Sequence, residues 1–264
     1  MNYDIDNPAD ERLADFIDLA DPAARRRRER DEIFIAEGFV AVQRLVESRH
    51  GVRSILVARS KLDRLHRVIG DLDVAVYVSP DHVLAATVGF NMHRGVVAAA
   101  NRRPLSSVDE VLAGATRVAV LEGLNDPENL GLIARTARAF GVTALVLDPT
   151  CIDPYYRRTV RVSMGEVLLL EVARCAEWPQ GLDTIRAAGF ETWAMTPARD
   201  AVNLWDLDIP ERLAVVLGAE GPGLSQRVID RADRRVRIPI SAAVDSINVG
   251  HAAAVAFAAA ARNG

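Results

Sequence analysis

The sequence predicts an α/β fold with parallel sheets covered on both faces, divided into two domains. Three observations carry this. Apolar runs of strand length alternate with amphipathic stretches of helix length from Ile33 onward, the pattern of parallel strands joined by crossover helices. The alternation is broken once, by Arg102-Arg103-Pro104-Leu105-Ser106-Ser107, which reads as a linker. The chain has 264 residues, 50% of them apolar, enough to bury one or two cores.

The elements follow in order. Residues 1–30 read as a charged arm, part helical. Helix 37–48, strand 52–59, helix 61–70, strand 74–79, helix 81–89 and strand 95–101 then make a first domain over 31–104. A short helix at 108–114 leads into a second domain over 115–264. Its strands are 117–123, 144–149, 167–174, 191–197, 212–220 and 234–241, with helices between most of them and a long helix at the C-terminus. The helix opening at Asn125-Asp126-Pro127-Glu128 has Asp126 as N-cap and Pro127 at its first position. Leu130, Ile133, Ala134 and Ala137 form its buried stripe. Gly131 costs about 1 kcal/mol relative to Ala inside a helix, so close approach to its backbone is expected.

The formal charge is −4, so no global positive field points to nucleic acid. The charge is locally sorted, however. Arg12 is the one basic residue before Asp21, and Arg25–Arg30 then reads RRRRER. Such a block is either a solvated segment or a phosphate-binding arm. Of the 32 basic residues all but Lys61 are arginine. Cys151 and Cys175 give neither a disulfide framework nor a metal spacing, so no metal is expected. The acidic opening has no apolar signal segment, and the longest apolar run, Ala252–Ala261, is too short to span a bilayer. A cytosolic chain is expected.

Sites in open α/β sheets form beyond the C-terminal strand ends. Three such ends stand out: LEGLNDPENLGLIAR from Leu121, VVLGAEGPGLS over Val215–Ser225, and IPISAAVDSINVGHAAA over Ile238–Ala254. The glycine-rich second stretch matches neither the P-loop nor the dinucleotide fingerprint, and it reads equally as a tight strand-to-helix turn. Ser246 is a candidate N-cap of the last helix. His251 reads as a packed histidine. Glu128, Arg135 and Arg138 share a polar face that, alone, is an ordinary solvated one.

Taken together, these motifs resemble the SpoU/TrmH-type RNA 2′-O-ribose methyltransferases of the SPOUT superfamily. The matching residues are Asn129–Arg135, LGAEGPGLS with Glu220, and IPI…SINV with Ser246 and Asn248. Arg157–Val167, RRTVRVSMGEV, also follows the pattern. The resemblance is strong over about 115–262. Over about 33–100 the chain is similar to a substrate-binding domain often fused to these enzymes, itself like kink-turn-binding ribosomal proteins. Where that domain has a Pro-Gln-Gly-like turn, this chain has Met92-His93-Arg94-Gly95.

The resemblance implies a deep trefoil knot in the C-terminal domain and S-adenosylmethionine as cofactor. It implies cofactor contacts from Leu217, Gly218, Ala219, Gly221, Ile238, Ile240, Ser246 and Asn248. It implies a catalytic set of Arg135, Asn129, Glu220, Ser246 and Asn248, with Arg135 placing phosphate and ribose and stabilising alkoxide charge. Gly218 and Gly221 would let the cofactor approach, and Gly131 would keep the face beside Arg135 open to RNA. The implied partners are RNA, ribosomal favoured over transfer RNA, and a second copy of the chain in a homodimer, with no membrane. The alternatives are a transfer RNA 2′-O-methyltransferase and a non-catalytic RNA-binding or ribosome assembly factor of the same fold.

Overall fold

The computed structural model describes residues 1–30 and 32–261, the side chains of Arg25, Glu29 and Arg30 excepted. Two compact units divide it: residues 1–104 with 155–169, and residues 105–154 with 170–264.

The first unit is built on a five-stranded sheet. In chain order it contains β1 (Asn2–Asp4), α1 (Pro22–Arg30), β2 (Ile33–Glu37), α2 (Phe39–Glu47), β3 (Val52–Ala58), α3 (Leu62–Ile69), β4 (Ala75–Ser79), α4 (Asp81–Val88) and β5 (Val96–Asn101). The strand order is β1-β4-β3-β5-β2. β1, β4 and β3 run parallel, but β5 is antiparallel to both β3 and β2. This corrects the expectation of parallel sheets throughout. Val96–Ala100 are fully buried, and a strand buried on both faces reads as the same apolar run in either direction.

Two further readings change. The charged arm expected over 1–30 is part of this unit's packing. Ile5, Leu13, Phe16 and Leu19 are buried between its acidic residues. The amides of Asp18 and Leu19 donate to the carbonyls of Thr87 and Val88, both at 3.0 Å. The helix expected from Glu37 begins at Phe39, because Ile33–Glu37 pairs with β5 as a strand.

The second unit carries a seven-stranded sheet in which every pairing is parallel. Its chain runs α5 (Val108–Ala113), β6 (Arg117–Glu122), α6 (Pro127–Ala139) and β7 (Ala144–Leu147). The excursion over 155–169, with α7 (Arg157–Val162), belongs to the first unit. It takes the front of the strand expected over 167–174, and only β8 (Glu171–Arg174) is extended. Then come α8 (Gly181–Ala187), β9 (Glu191–Met195), β10 (Val202–Asn203), β11 (Leu213–Gly218), α9 (Gln226–Ile229), β12 (Arg234–Arg237) and α10 (Val249–Ala260). The order is β10-β12-β9-β11-β6-β7-β8. Val118, Val120, Val146, Ala214 and Val216 centre one face of its core, and α6 packs against α10. β6 and β11, far apart in sequence, lie side by side with Glu122 opposite Gly218. Their C-terminal ends therefore open at one place, where open parallel sheets bind ligands.

Among the described residues no helix is long and apolar enough to cross a membrane, and no group of three or more His, Cys, Asp or Glu is placed to hold a metal.

Candidate functional site

The site is assembled from three backbone turns. After β6 the chain enters α6 through Asp126, whose carboxylate accepts from Glu128 N at 2.8 Å, with Pro127 at the first helical position. One turn in, Asn129 is 3% exposed. Gly131 is also buried, on the helix that packs against α10. On α10, a Cβ at Gly250 would come within 3.2 Å of Leu132 Cβ.

After β11 the chain makes a tight loop. Gly223 N donates to Ala219 O at 3.0 Å, and Gly221 and Gly223 hold φ of +85° and +68°, backbone that favours glycine. A Cβ at Gly218 would lie 2.2 Å from Gly223 C and 2.3 Å from Leu224 N. Gly218 is thus required by the loop's own return, a reason for glycine that the sequence reading did not give. A Cβ at Gly221 would meet no protein atom within 4 Å; what the chain itself demands of that position is its φ.

Glu122, which the sequence does not single out, pins this loop. Its carboxylate accepts from Ser225 N at 2.7 Å, from Ser225 Oγ at 2.8 Å and from Trp178 Nε1 at 2.8 Å. The available signal is its place at the C-terminal end of a strand, inside one of the three strand-end motifs.

The third turn precedes α10. The N-cap is Asn248, not Ser246: its Oδ1 accepts from Gly250 N at 2.8 Å and His251 N at 3.3 Å. Its Nδ2 donates to Asn129 Oδ1 at 2.9 Å and to Glu220 Oε1. One amide thus ties together residues from all three strand-end motifs.

Two clefts flank the 219–223 loop. The larger, about 670 Å³, is lined by Leu217, Gly218, Ala219, Glu220, Gly221, Ile238, Ile240, Ser246 and Asn248, with Met195, Thr196, Pro197, Asp245 and Ile247 also on its wall. Its size falls within the roughly 300–1,000 Å³ of small-molecule sites. Its carboxylates are Glu220 and Asp245, and no Arg, Lys or His is among its described lining residues. The smaller, about 570 Å³, is lined by Asn129, Asp126, Glu122, Asp148 and Thr150, and shares Glu220 with the first. Arg135 is exposed on α6 and lines neither cleft. His251 is exposed on α10. Cys151 is buried under the β6 end, where desolvation pushes its thiol up to about 12; it receives Leu124 N at 3.3 Å and is no nucleophile.

Known proteins match the chain over nearly its whole length. The signature of the SpoU rRNA Methylase family matches residues 116–258. A curated but uncharacterized tRNA/rRNA methyltransferase of Mycobacterium tuberculosis is 43% identical over 99% of this chain and 92% of its own length. An rRNA methyltransferase of Sinorhizobium meliloti, solved with AdoMet bound, superposes with a TM-score of 0.84 at 22% identity, over 99% of this chain and 98% of that one. A solved RNA 2′-O ribose methyltransferase superposes with a TM-score of 0.79 at 25% identity, over 98% of each chain.

Proposed function

Because the chain belongs to the SpoU rRNA methylase family, we propose that it transfers a methyl group from S-adenosylmethionine to a ribose 2′-hydroxyl of RNA, with ribosomal RNA the preferred substrate. The observation that carries the cofactor reading is the charge of the larger cleft. Two carboxylates and no cation among its described lining residues suit a ligand with a sulfonium and an ammonium group, and would leave the phosphates of a nucleotide cofactor without a counter-charge. Leu217, Ile238 and Ile240 offer the adenine an apolar wall. The S. meliloti rRNA methyltransferase, of the same fold, was solved with AdoMet bound. The ribose reading is supported by the solved RNA 2′-O ribose methyltransferase of similar fold.

When bound, the cofactor supplies an already activated methyl group, so the protein's work is alignment and charge. Asn129 in the smaller cleft and Glu220, which lines both clefts, are locked by Asn248 and would orient the ribose beside the methyl donor. Glu122 would hold the 219–225 loop in place before any ligand arrives. Arg135 would place the phosphate and stabilise developing charge on the 2′-oxygen. Since Arg135 lines neither cleft of its own chain, we assign it to the cleft of a second copy. Leu132 on the same helix and Phe140 at its C-cap, exposed at 39% and 37%, would belong to that homodimer's interface. The C-terminal segment is read as the threaded part of a trefoil knot, supported by residues 238–248 and 217–224 walling one cleft.

The test is calorimetry with S-adenosylmethionine in the absence of added metal, followed by transfer of a radiolabelled methyl group to total RNA and identification of the modified nucleoside. Binding and a 2′-O-methyl nucleoside in ribosomal RNA are expected. A methylated base would overturn the ribose assignment, and label confined to transfer RNA would overturn the substrate.

A further inference from the structure

Trp178 lies between β8 and α8, outside the three strand-end motifs, and is not among the described lining residues of either cleft. It is half-buried and packs against the core that contains Leu182 and Ile185. Its indole N–H, however, donates to Glu122 Oε1 at 2.8 Å, and Glu122 belongs to the site.

Glu122 holds the loop between the two clefts at both of its ends. Its backbone is the register partner of Gly218, where the loop leaves β11. Its carboxylate accepts from Ser225 N at 2.7 Å and Ser225 Oγ at 2.8 Å, where the loop ends. Between these points lie Gly221 and Gly223 at positive φ, and Glu220, which lines both clefts. The rotamer of Glu122 therefore sets how far apart the two ends of the loop stand.

Ser225 shows what this arrangement displaces. It occupies the N-cap position of α9, where a serine hydroxyl ordinarily accepts from helix amides. Its side chain caps no helix amide; the hydroxyl donates to Glu122 instead. A cap given up beside a binding loop is the kind of local departure found at functional sites. Among the described residues three donors meet the two oxygens of Glu122, and Trp178 supplies the one that does not come from the loop. Hydrogen bonds to an ionised acceptor are the stronger kind. Without the indole, Ser225 alone among the described residues would hold the Glu122 side chain, and carboxylate and loop would be able to shift together.

We propose that Trp178 is a positioning residue for the methyl-donor site: acting through Glu122, it holds the 218–225 loop in place and so sets cofactor affinity. That the ligand is S-adenosylmethionine rests on the methyltransferase reading; the hold on the loop does not.

The test compares Trp178→Phe, Glu122→Gln and Ile185→Val in the full chain. Trp178→Phe keeps an aromatic ring against the core and removes the N–H. Ile185→Val trims the same core and leaves the carboxylate untouched. Hydrogen exchange over 219–225 in the ligand-free protein should quicken in Trp178→Phe and Glu122→Gln and stay unchanged in Ile185→Val. Calorimetry with S-adenosylhomocysteine should show affinity lowered about fivefold in Trp178→Phe, the scale of one net hydrogen bond, and about tenfold in Glu122→Gln. Single-turnover methyl transfer by Trp178→Phe at saturating cofactor should change far less than affinity does. In a Glu122→Gln background, Trp178→Phe should add nothing to either loss. Unchanged exchange over 219–225 or unchanged affinity in Trp178→Phe would overturn the proposal. So would matching losses in Ile185→Val, which would make Trp178 a core residue and no more. A wild-type chain that binds no S-adenosylhomocysteine would sink the cofactor reading and leave the hold on the loop to stand or fall on the exchange pattern.

Discussion

In the second unit the larger cleft presents Glu220 and Asp245 and no cation among its described lining residues; in the first unit the cavity at α1 and α7 presents five arginines, with no carboxylate among its described lining residues. The two are built from different materials as well. The cleft is made of strand-end loops, where glycines and one asparagine set the backbone. The arginine cavity is made of helix side chains and a stacked aromatic pair, Tyr155 on Phe34. A net charge of −4 averages over both and describes neither. Charge here is sorted by region: the cleft we assign to the cofactor is acidic and apolar, and the cavity of the first unit is lined by arginines. A nucleic-acid enzyme need not be basic overall if its cations are concentrated where phosphate arrives.

The largest expected effect tests whether Arg135 is the catalytic cation that the larger cleft does not present among its described lining residues. Arg135→Ala should leave cofactor affinity and folding unchanged, since the side chain is exposed, while single-turnover methyl transfer falls by roughly 10²–10³, the range for removing one transition-state interaction. Arg138→Ala, on the same helix, should cost far less. Equal modest losses would remove Arg135 from catalysis.

Gly218→Ala separates loop architecture from ligand approach. Its Cβ would meet backbone at 2.2 Å, so thermal unfolding should show a loss of about 3 kcal/mol, the upper end for overpacking. A stable variant that only weakens cofactor binding would restore the close-approach role. Neutralising the cleft by Glu220→Gln with Asp245→Asn should weaken S-adenosylmethionine about tenfold, equivalent to ~1.4 kcal/mol. S-adenosylhomocysteine, with no sulfonium, should suffer less, and equal losses would break the charge contrast. Asn248→Ala should cost about 1 kcal/mol in chemical denaturation through removal of the cap.

The smallest effect lies in the first unit. His50 packs on Phe34 and Tyr155 at ring distances of 4.9 and 4.7 Å, and burial holds its pKa below 6.5. A depressed folded value means the unfolded chain takes the proton first. Stability should therefore decline as pH drops below about 6.5, until the folded His50 also protonates. His50→Phe should flatten that part of the profile; an unchanged profile would show that His50 is not its source.

Much of the cleft is legible in the sequence because strand ends and caps are local. Asp126 and Pro127 open α6 as expected, and the glycine-rich stretch follows β11. What is illegible depends on return of the chain. The acidic opening reads as an arm because Ile5, Leu13, Phe16 and Leu19 fit no single period; only pairing with β4 and contact with α4 give them a core. The antiparallel direction of β5 leaves no mark on a run buried on both faces. The convergence of Arg28 with α7 follows from residues 155–169 joining the first unit, which no local pattern encodes. Gly218 stands out in the sequence as a loop glycine, but the close approach of the chain's own backbone at Gly223 and Leu224 is not legible there.

Asn248 has a consequence of valence. A primary amide has one oxygen and two hydrogens on nitrogen. The oxygen faces the amides of Gly250 and His251, and the two hydrogens serve Asn129 and Glu220. The nitrogen therefore has no hydrogen left over for a ligand, and its orientation cannot be reversed without placing a donor against the helix amides. Asn248 acts as a saturated junction, and the groups it leaves open to chemistry are those of the residues it holds.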